Sequence, residues 1–450
     1  MPPRLRLPNL DFVLDINALA AVLIAVAVAP IVTHLLGRLV PVPLPVVEIL
    51  LGMLLGPSLL GWVAPGGLPA TLGRTGIAVL VYLAGYELDY RSMTGRLLGR
   101  ATYGWLLTLG VCIGLGMAVA FGANAAGVAV RADSTVSLAT SGLLIGIALT
   151  STALGSSLPA MRDSGTIDTA FGKAVLTSGA IGQFAPLIAL SILFNHDRPV
   201  WQSALAFVGF AVLAVAAILV SRRGMPGWAQ RIASSTLHTS GHFSVRLAVA
   251  ALFGIAALAL DVFGMDLLIG AFAAGALMRQ LMRNVDEPMK GITERKIQAI
   301  GFGFLIPVFF VSTGINFDLE GFAREPLALL LIPVFVVCLF VGRGLPGSLV
   351  LGFRGVTGRD RVAAALWTSV ALAVIVFMVN IATDAGAVSS VVGAAMIGAG
   401  MISVLVFPTL AIALRGPGVR PSGPSAVEVA AAEAAVMLAR EAEERRNKGS

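Results

Sequence analysis

Four polar features interrupt long apolar runs in this chain: Thr150-Ser151-Thr152, Gln183, Arg343 and Thr368-Ser369. Polar groups at membrane depth are costly, so they are the first places to look for function. A run of hydroxyl residues can break a helix and free backbone carbonyls and amides, whose partial charges coordinate ions. A buried amide or guanidinium needs a partner or a water-filled cavity. These residue types therefore indicate an ion or solute site inside a membrane.

Each feature also has a purely structural interpretation. The hydroxyl groups of Thr150, Ser151 and Thr152 can bond to carbonyls one turn back in an unbroken helix. Gln183 can join two neighbouring helices. Arg343 is harder to explain structurally, because apolar residues flank it for several turns and its charge needs a partner.

Composition identifies the chain as an integral membrane protein. Of its 450 residues 57% are hydrophobic and only 12% are charged, about half the charged share of soluble domains. The net charge of +7 comes from dispersed basic residues, so no nucleic-acid partner is expected. Cys112 and Cys338 lie in apolar runs and are expected to be packing residues. No metal cluster, phosphate loop or nucleophile–base pair is recognisable, so neither an enzyme nor a bound cofactor is expected.

The apolar runs predict about thirteen transmembrane helices, since each span needs about 20 apolar residues. The predicted spans are 16–37, 45–62, 71–88, 101–122, 137–160, 168–194, 200–221, 243–263, 265–280, 298–314, 326–350, 361–382 and 387–414. None of the 24 acidic residues lies clearly in the middle of a span, and Glu48 comes closest.

The basic residues predict the orientation of these spans. With the N-terminus outside, the cytoplasmic loops hold 18 Lys and Arg residues and the outside segments hold 6. The C-terminus is then cytoplasmic. We expect one transmembrane domain over 1–414, followed by a short cytoplasmic tail over 415–450 that is too small for a nucleotide-binding domain.

Four segments resemble the signatures of one transporter family. They are VEILLG with LGPSLLG at 47–61, YLAGYELD at 82–89, TSTA at 150–153 and IPVFFVSTG at 306–314. In order and spacing they are similar to the cation:proton antiporters of the bacterial Kef-type and NapA-like branch. The Thr-Ser interruptions in spans 5 and 12 also fit inverted repeats.

The resemblance implies an all-α antiporter fold of the NapA/NhaA type, with inverted repeats and two crossing broken helices. It implies a core bundle around spans 5, 6, 12 and 13, a dimerisation bundle, a homodimer and a location in the bacterial inner membrane. The family's ion-binding carboxylate, often preceded by Asn, Asp or Gly, corresponds to Gln183 after Gly182. Arg343 corresponds to the family's membrane-embedded basic residue, which can pair with that carboxylate.

Gln183 departs from the family at its most important position, because an amide neither exchanges protons nor carries charge. Three explanations remain open: the sequence carries an engineered Glu→Gln substitution, the protein couples through another group, or it carries another solute or none. The predicted function is exchange of Na⁺ or K⁺ for H⁺ by alternating access. The predicted site is lined by Thr150, Ser151, Thr152, Gly182, Gln183, Thr368 and Ser369, with Arg343 nearby. The alternatives are a non-transporting membrane sensor or scaffold and an exporter of an organic or ionophore-like solute.

Overall fold

A computed structural model describes residues 8–37, 42–87, 95–154, 157, 160–161, 164–167, 169–193, 199–222, 242–282, 287–352 and 356–415. Within these residues every regular element is helical. The predicted tail from 416 onward, the basic residues Arg4 and Arg6, and Ser156 of the first hydroxyl-rich segment lie outside the described residues.

The α-helices are numbered here in chain order. They are α1 (Pro8–Leu36), α2 (Leu44–Leu55), α3 (Gly67–Glu87), α4 (Arg96–Ala125), α5 (Leu138–Leu149), α6 (Ala170–Leu193), α7 (Val200–Arg222), α8 (His242–Asp261), α9 (Leu267–Met282), α10 (Glu287–Ile300), α11 (Ile306–Ile315), α12 (Leu319–Arg324), α13 (Leu331–Cys338), α14 (Leu345–Gly347), α15 (Gly358–Thr368), α16 (Leu372–Asp384) and α17 (Ser390–Arg415). Wider π-helical turns at Gly301–Leu305 and Leu339–Gly344 join α10 to α11 and α13 to α14. Single 3₁₀ segments at Pro326–Leu330 and Ser348–Val350 precede α13 and follow α14.

The all-helical membrane fold agrees with the prediction, whereas the described helices do not confirm the number of spans. Seven helices among the described residues are long and apolar enough to cross a membrane, and the bent pair α15 and α16 makes an eighth. Four further apolar helices are shorter, between 10 and 17 residues. The count of thirteen therefore stays a prediction.

Helix starts near the site follow from local sequence. Ser137 caps α5 by accepting a hydrogen bond from the amide of Thr140. Thr357 and Asp360 form a reciprocal capping box at the start of α15. Asp360 also forms an ion pair with Arg415, whose Nε lies 2.7 Å from Asp360 Oδ1. This ion pair joins the start of α15 to the end of α17.

Helix contacts fall into two groups. In the first, α1, α2, α3, α8, α9 and α11 contact one another, and glycines let their backbones approach closely. A Cβ at Gly52 would overlap the carbonyl oxygen of Val311, and one at Gly275 would overlap that of Tyr82. In the second group, α4, α5, α6, α13, α15, α16 and α17 form a contiguous set of contacts that includes both interrupted helices. The predicted dimerisation role of one bundle stays a prediction.

Candidate functional site

The first predicted interruption lies at the end of α5. The helix ends at Leu149, and residues 151–153 have no regular secondary structure although they are fully or almost fully buried. Their freed backbone amides bind two other segments. The amide of Thr152 donates to the carbonyl of Gly182 at 2.9 Å, and that of Ala153 donates to the carbonyl of Val370 at 2.6 Å. Irregular backbone at this depth is therefore satisfied by neighbouring protein, as burial in a membrane requires.

The second interruption separates α15 from α16. The first of these helices ends at Thr368, the next starts at Leu372, and their axes differ by 46°. The two interruptions meet directly, because the hydroxyl of Thr152 donates to the carbonyl of Thr368 at 2.5 Å. Both predicted helix breaks are thus present, and they contact one another.

The five predicted hydroxyl groups differ in what they bind. Three of them bond back to carbonyls of their own helices: Thr150 to Ile147, Thr368 to Ala364, and Ser369 to Ala365. Ser369 also donates to the carbonyl of Leu339 at 3.0 Å. For these three the structural interpretation applies. The other two differ: Thr152 Oγ1 binds groups outside its own helix, and buried Ser151 Oγ has no hydrogen-bond partner among the described residues.

Arg343 lies on the π-helical turn Leu339–Gly344 and is completely buried. Its Nε donates to Thr152 Oγ1 at 2.8 Å, and its Nη2 donates to the carbonyl of Ser178 at 2.8 Å. Its Nη1 has no hydrogen-bond partner among the described residues. These two partners are neutral, so the guanidinium connects the first interruption to α6, and no group among the described residues balances its charge.

Gly182 lies beside this guanidinium on α6, and Gln183 follows it in the helix. A Cβ at Gly182 would overlap Arg343 Nη2 and come within 2.7 Å of Thr152 Oγ1, so the guanidinium occupies the space next to this glycine. The side chain of Gln183 is 5% exposed, and its Oε1 has no partner among the described residues. The residue that faces Arg343 is therefore Gly182, and no hydrogen bond joins Gln183 to Arg343 in the described part of the chain.

Two residues of this site were not predicted. Ser178 precedes Gly182 by one helical turn, and this spacing of four residues could have indicated a shared helix face. Gly347 has no such signal: a Cβ there would lie 2.9 Å from Arg343 Nη1 and 3.1 Å from Thr368 Oγ1. We call Ser151, Thr152, Ser178, Gly182, Gln183, Arg343 and Gly347 the core site.

The core site carries one positive charge as far as the structure describes it. No described carboxylate forms an ion pair with Arg343. Glu48 is 2% exposed, but it lies on α2 in the other group of helices. Within the described ranges no group of three or more His, Cys, Asp or Glu side chains is placed to hold a metal ion. Hydroxyl, amide and carbonyl oxygens are thus the groups available to bind a cation.

A cavity of about 600 Å³ lies between the two groups of helices. Residues from α3, α9 and α11 line one wall, and residues from α16 and α17 line the other. Arg74, Asp266, Asp384, Asn316 and Asn380 are among its polar lining residues. On α16 the lining residue nearest to the second interruption is Phe377, five residues, or about 8 Å, beyond Leu372.

Comparison with known proteins gives consistent relatives. The Bacillus subtilis protein YjbQ is 25% identical over 350 residues, which are 74% of this chain and 52% of YjbQ. The chain therefore spans about half the length of that relative. The Na⁺/H⁺-K⁺ antiporter GerN of Bacillus cereus is 25% identical over 68% of this chain and 73% of GerN. A Na⁺/H⁺ antiporter of Enterococcus hirae is 24% identical over 72% of this chain and 78% of its own length.

A solved structure shows the same fold. The sodium proton antiporter MjNhaP1 from Methanocaldococcus jannaschii superposes with a TM-score of 0.60, covering 88% of this chain and 96% of that one at 14% identity. The family model described as sodium/hydrogen exchanger, transmembrane, matches residues 22–413. Because this match covers most of the chain, the protein belongs to the sodium/hydrogen exchanger family of membrane transporters.

Proposed function

We propose that the chain exchanges Na⁺ or K⁺ for H⁺ by alternating access, and that the substrates pass through the core site. One observation carries the proposal: two interrupted helices meet at Thr152 and Thr368, beside the buried Arg343. The amide of Thr152 also binds the carbonyl of Gly182, the residue that precedes Gln183. Broken helices with free carbonyls and hydroxyls are how transporters of this architecture coordinate ions near the membrane centre.

Gln183 should weaken the coupling between cation movement and proton movement. Exchange requires a group at which a cation and a proton compete, and an amide side chain neither titrates nor attracts a cation by charge. We therefore expect this sequence to show little coupled exchange. Gln183→Glu should confer it, with an activity that depends on pH because the introduced carboxylate binds and releases the proton.

Proton flux in proteoliposomes tests this proposal. A pH-sensitive dye inside the vesicles reports flux after addition of Na⁺, of K⁺, or of neither. Gln183→Glu is compared with Gln183→Ala and with Gln298→Glu, a matched control on α10 outside the core site. We expect cation-dependent flux only in the Gln183→Glu variant.

Two outcomes would contradict the proposal in different ways. Strong cation-coupled flux in the unsubstituted chain that persists in Gln183→Ala would place the coupling group elsewhere. Absence of flux in both the Gln and Glu forms would favour a non-transporting sensor or scaffold that retains the fold.

The proposal includes an orientation in the membrane, with the N-terminus outside and the C-terminus in the cytoplasm. Single cysteines at Arg131 and Arg324 should react with an impermeant reagent added outside intact cells. Cysteines at Arg96 and Lys290 should react only after the membrane is permeabilised. Positions 96 and 131 reacting from the same side would contradict the predicted span order. In this orientation the 600 Å³ cavity faces the outside.

A further inference from the structure

We propose that the core site of the unsubstituted chain binds a small monovalent anion at the guanidinium of Arg343. The proposal rests on the proposed location of the transport site and names the ligand that this site takes while residue 183 is an amide. In this view the anion supplies a negative charge that the core site lacks while residue 183 is an amide.

The buried charge of Arg343 favours anion binding. Arg343 is always ionised at physiological pH, and it is completely buried. A buried charge is strongly unfavourable unless an opposite charge balances it, and neutral hydrogen-bond partners do so only in part. Thr152 and Ser178 are neutral, and no described carboxylate pairs with Arg343. A cation brought into the core site would be repelled by the guanidinium, whereas an anion would be attracted.

Hydrogen-bond donors without a described partner in the core site also favour anion binding. Nη1 of Arg343 has no partner in the described part of the chain, and it is the group that a bound anion would contact. The hydroxyl of Ser178 lies 3.5 Å from Nη2 and accepts from it, which leaves its own hydrogen for an anion. The buried hydroxyl of Ser151 also has no described partner, so it provides a second neutral donor in the core site.

Small residues restrict ligand size. Gly347 packs against Nη1 and Gly182 against Nη2, and the guanidinium itself fills the space that a side chain at either position would take, so only a small ligand could join it. In this conformation the guanidinium is closed off from solvent, and the anion would enter when the protein opens the core site to one face of the membrane. A small inorganic anion such as chloride fits these limits better than a bulky organic one.

Thermal unfolding of the purified full chain in detergent tests the proposal. Sodium concentration and ionic strength are held constant while chloride replaces gluconate, an anion too large for the core site. We expect chloride to raise the melting temperature saturably, by about 2 °C at ten times its dissociation constant.

Variants separate anion binding at Arg343 from general salt effects. Arg343→Gln should abolish the chloride response. Gly347→Ala keeps the charge but places a methyl group against Nη1, and it should weaken chloride binding about tenfold or more. Arg279→Gln is the matched control, because Arg279 also donates to a backbone carbonyl, that of Tyr86 at 2.7 Å, and it lies outside the core site. It should respond like the unsubstituted chain.

Gln183→Glu distinguishes this inference from the proposed function. The introduced carboxylate adds a negative charge one residue from Gly182 and repels the anion, so chloride binding should weaken as cation-dependent proton flux appears. Cation flux in this variant with no chloride response in the unsubstituted chain would overturn the anion proposal and leave the proposed function standing. A chloride response without any cation flux in the variant would do the reverse. If Arg343→Gln does not fold, an unchanged chloride response in Gly347→Ala still overturns the proposal.

Discussion

The two helix interruptions have similar sequences but use their polar groups differently. At the first, Thr152 binds Arg343 and Thr368 across the helix packing, and Ser151 Oγ has no partner among the described residues. At the second, the hydroxyls of Thr368 and Ser369 both return to carbonyls of α15, and Ser369 Oγ also lies 3.0 Å from the carbonyl of Leu339. The second interruption therefore offers backbone carbonyls to its neighbours, whereas the first offers side-chain hydroxyls.

The position of each hydroxyl relative to the helix end explains this difference. Thr368 is the last residue of α15 and Ser369 is its cap, so each lies one turn beyond a helical carbonyl that its hydroxyl can reach. Ser151 and Thr152 come after the last residue and cap of α5, where the chain has left the helical path. A hydroxyl becomes available to a site when the helix ends before it.

Removing the Thr152 hydroxyl should have the largest effect on stability. Thr152→Val leaves Arg343 Nε without its acceptor and the Thr368 carbonyl without its donor, and a charged group left unsatisfied is the more costly of the two. We expect a loss of about 3 kcal/mol in the free energy of unfolding, measured by denaturant or heat in detergent. Thr152→Ser keeps the hydroxyl and should lose less than half as much. A loss in Thr152→Val no larger than that in Thr152→Ser would show that the hydroxyl bridge contributes no more to stability than the methyl group.

A smaller effect is expected at the second interruption. Thr368→Val removes a hydroxyl that serves only its own helix, so the loss should be about 1 kcal/mol. Transport in a Gln183→Glu background should be nearly unchanged, because the Thr368 carbonyl remains. A large loss of transport with normal stability would show that this hydroxyl contacts the substrate and that the two interruptions are more alike than their hydrogen bonds indicate.

Ser151→Ala should have the smallest effect on stability and the clearest effect on transport. Its hydroxyl has no described partner, so stability should change by less than about 0.5 kcal/mol. Transport in the Gln183→Glu background should fall, since a neutral ligand of the core site is lost. Unchanged transport would indicate that Ser151 does not line the substrate path, and the comparison would then rest on Thr152 alone.

The features that depend on local residue type could be predicted from the sequence. Hydroxyl runs predicted both helix breaks, and a charge in an apolar run identified Arg343 as a buried functional candidate. The roles of Ser178 and Gly347 could not be predicted, because they depend on the direction in which the arginine side chain extends across the helix packing. Gly182 faces the guanidinium and Gln183 does not, and this difference likewise depends on how α6 is rotated about its own axis. Span number could not be derived from the length of apolar runs alone, since several helices are shorter than the bilayer thickness.

The glycine contacts of the first helix group have a mechanical consequence. At Gly52, Gly275 and Gly314 a backbone carbonyl of the neighbouring helix lies where a Cβ would be, so no side chain separates the two backbones at these points. Such pairs resist sliding and rotation, because any displacement brings main-chain atoms into collision. We therefore expect α2, α3, α9 and α11 to tilt together as one rigid body. The width of the 600 Å³ cavity would then depend on one angle, the angle between this rigid body and helices α16 and α17.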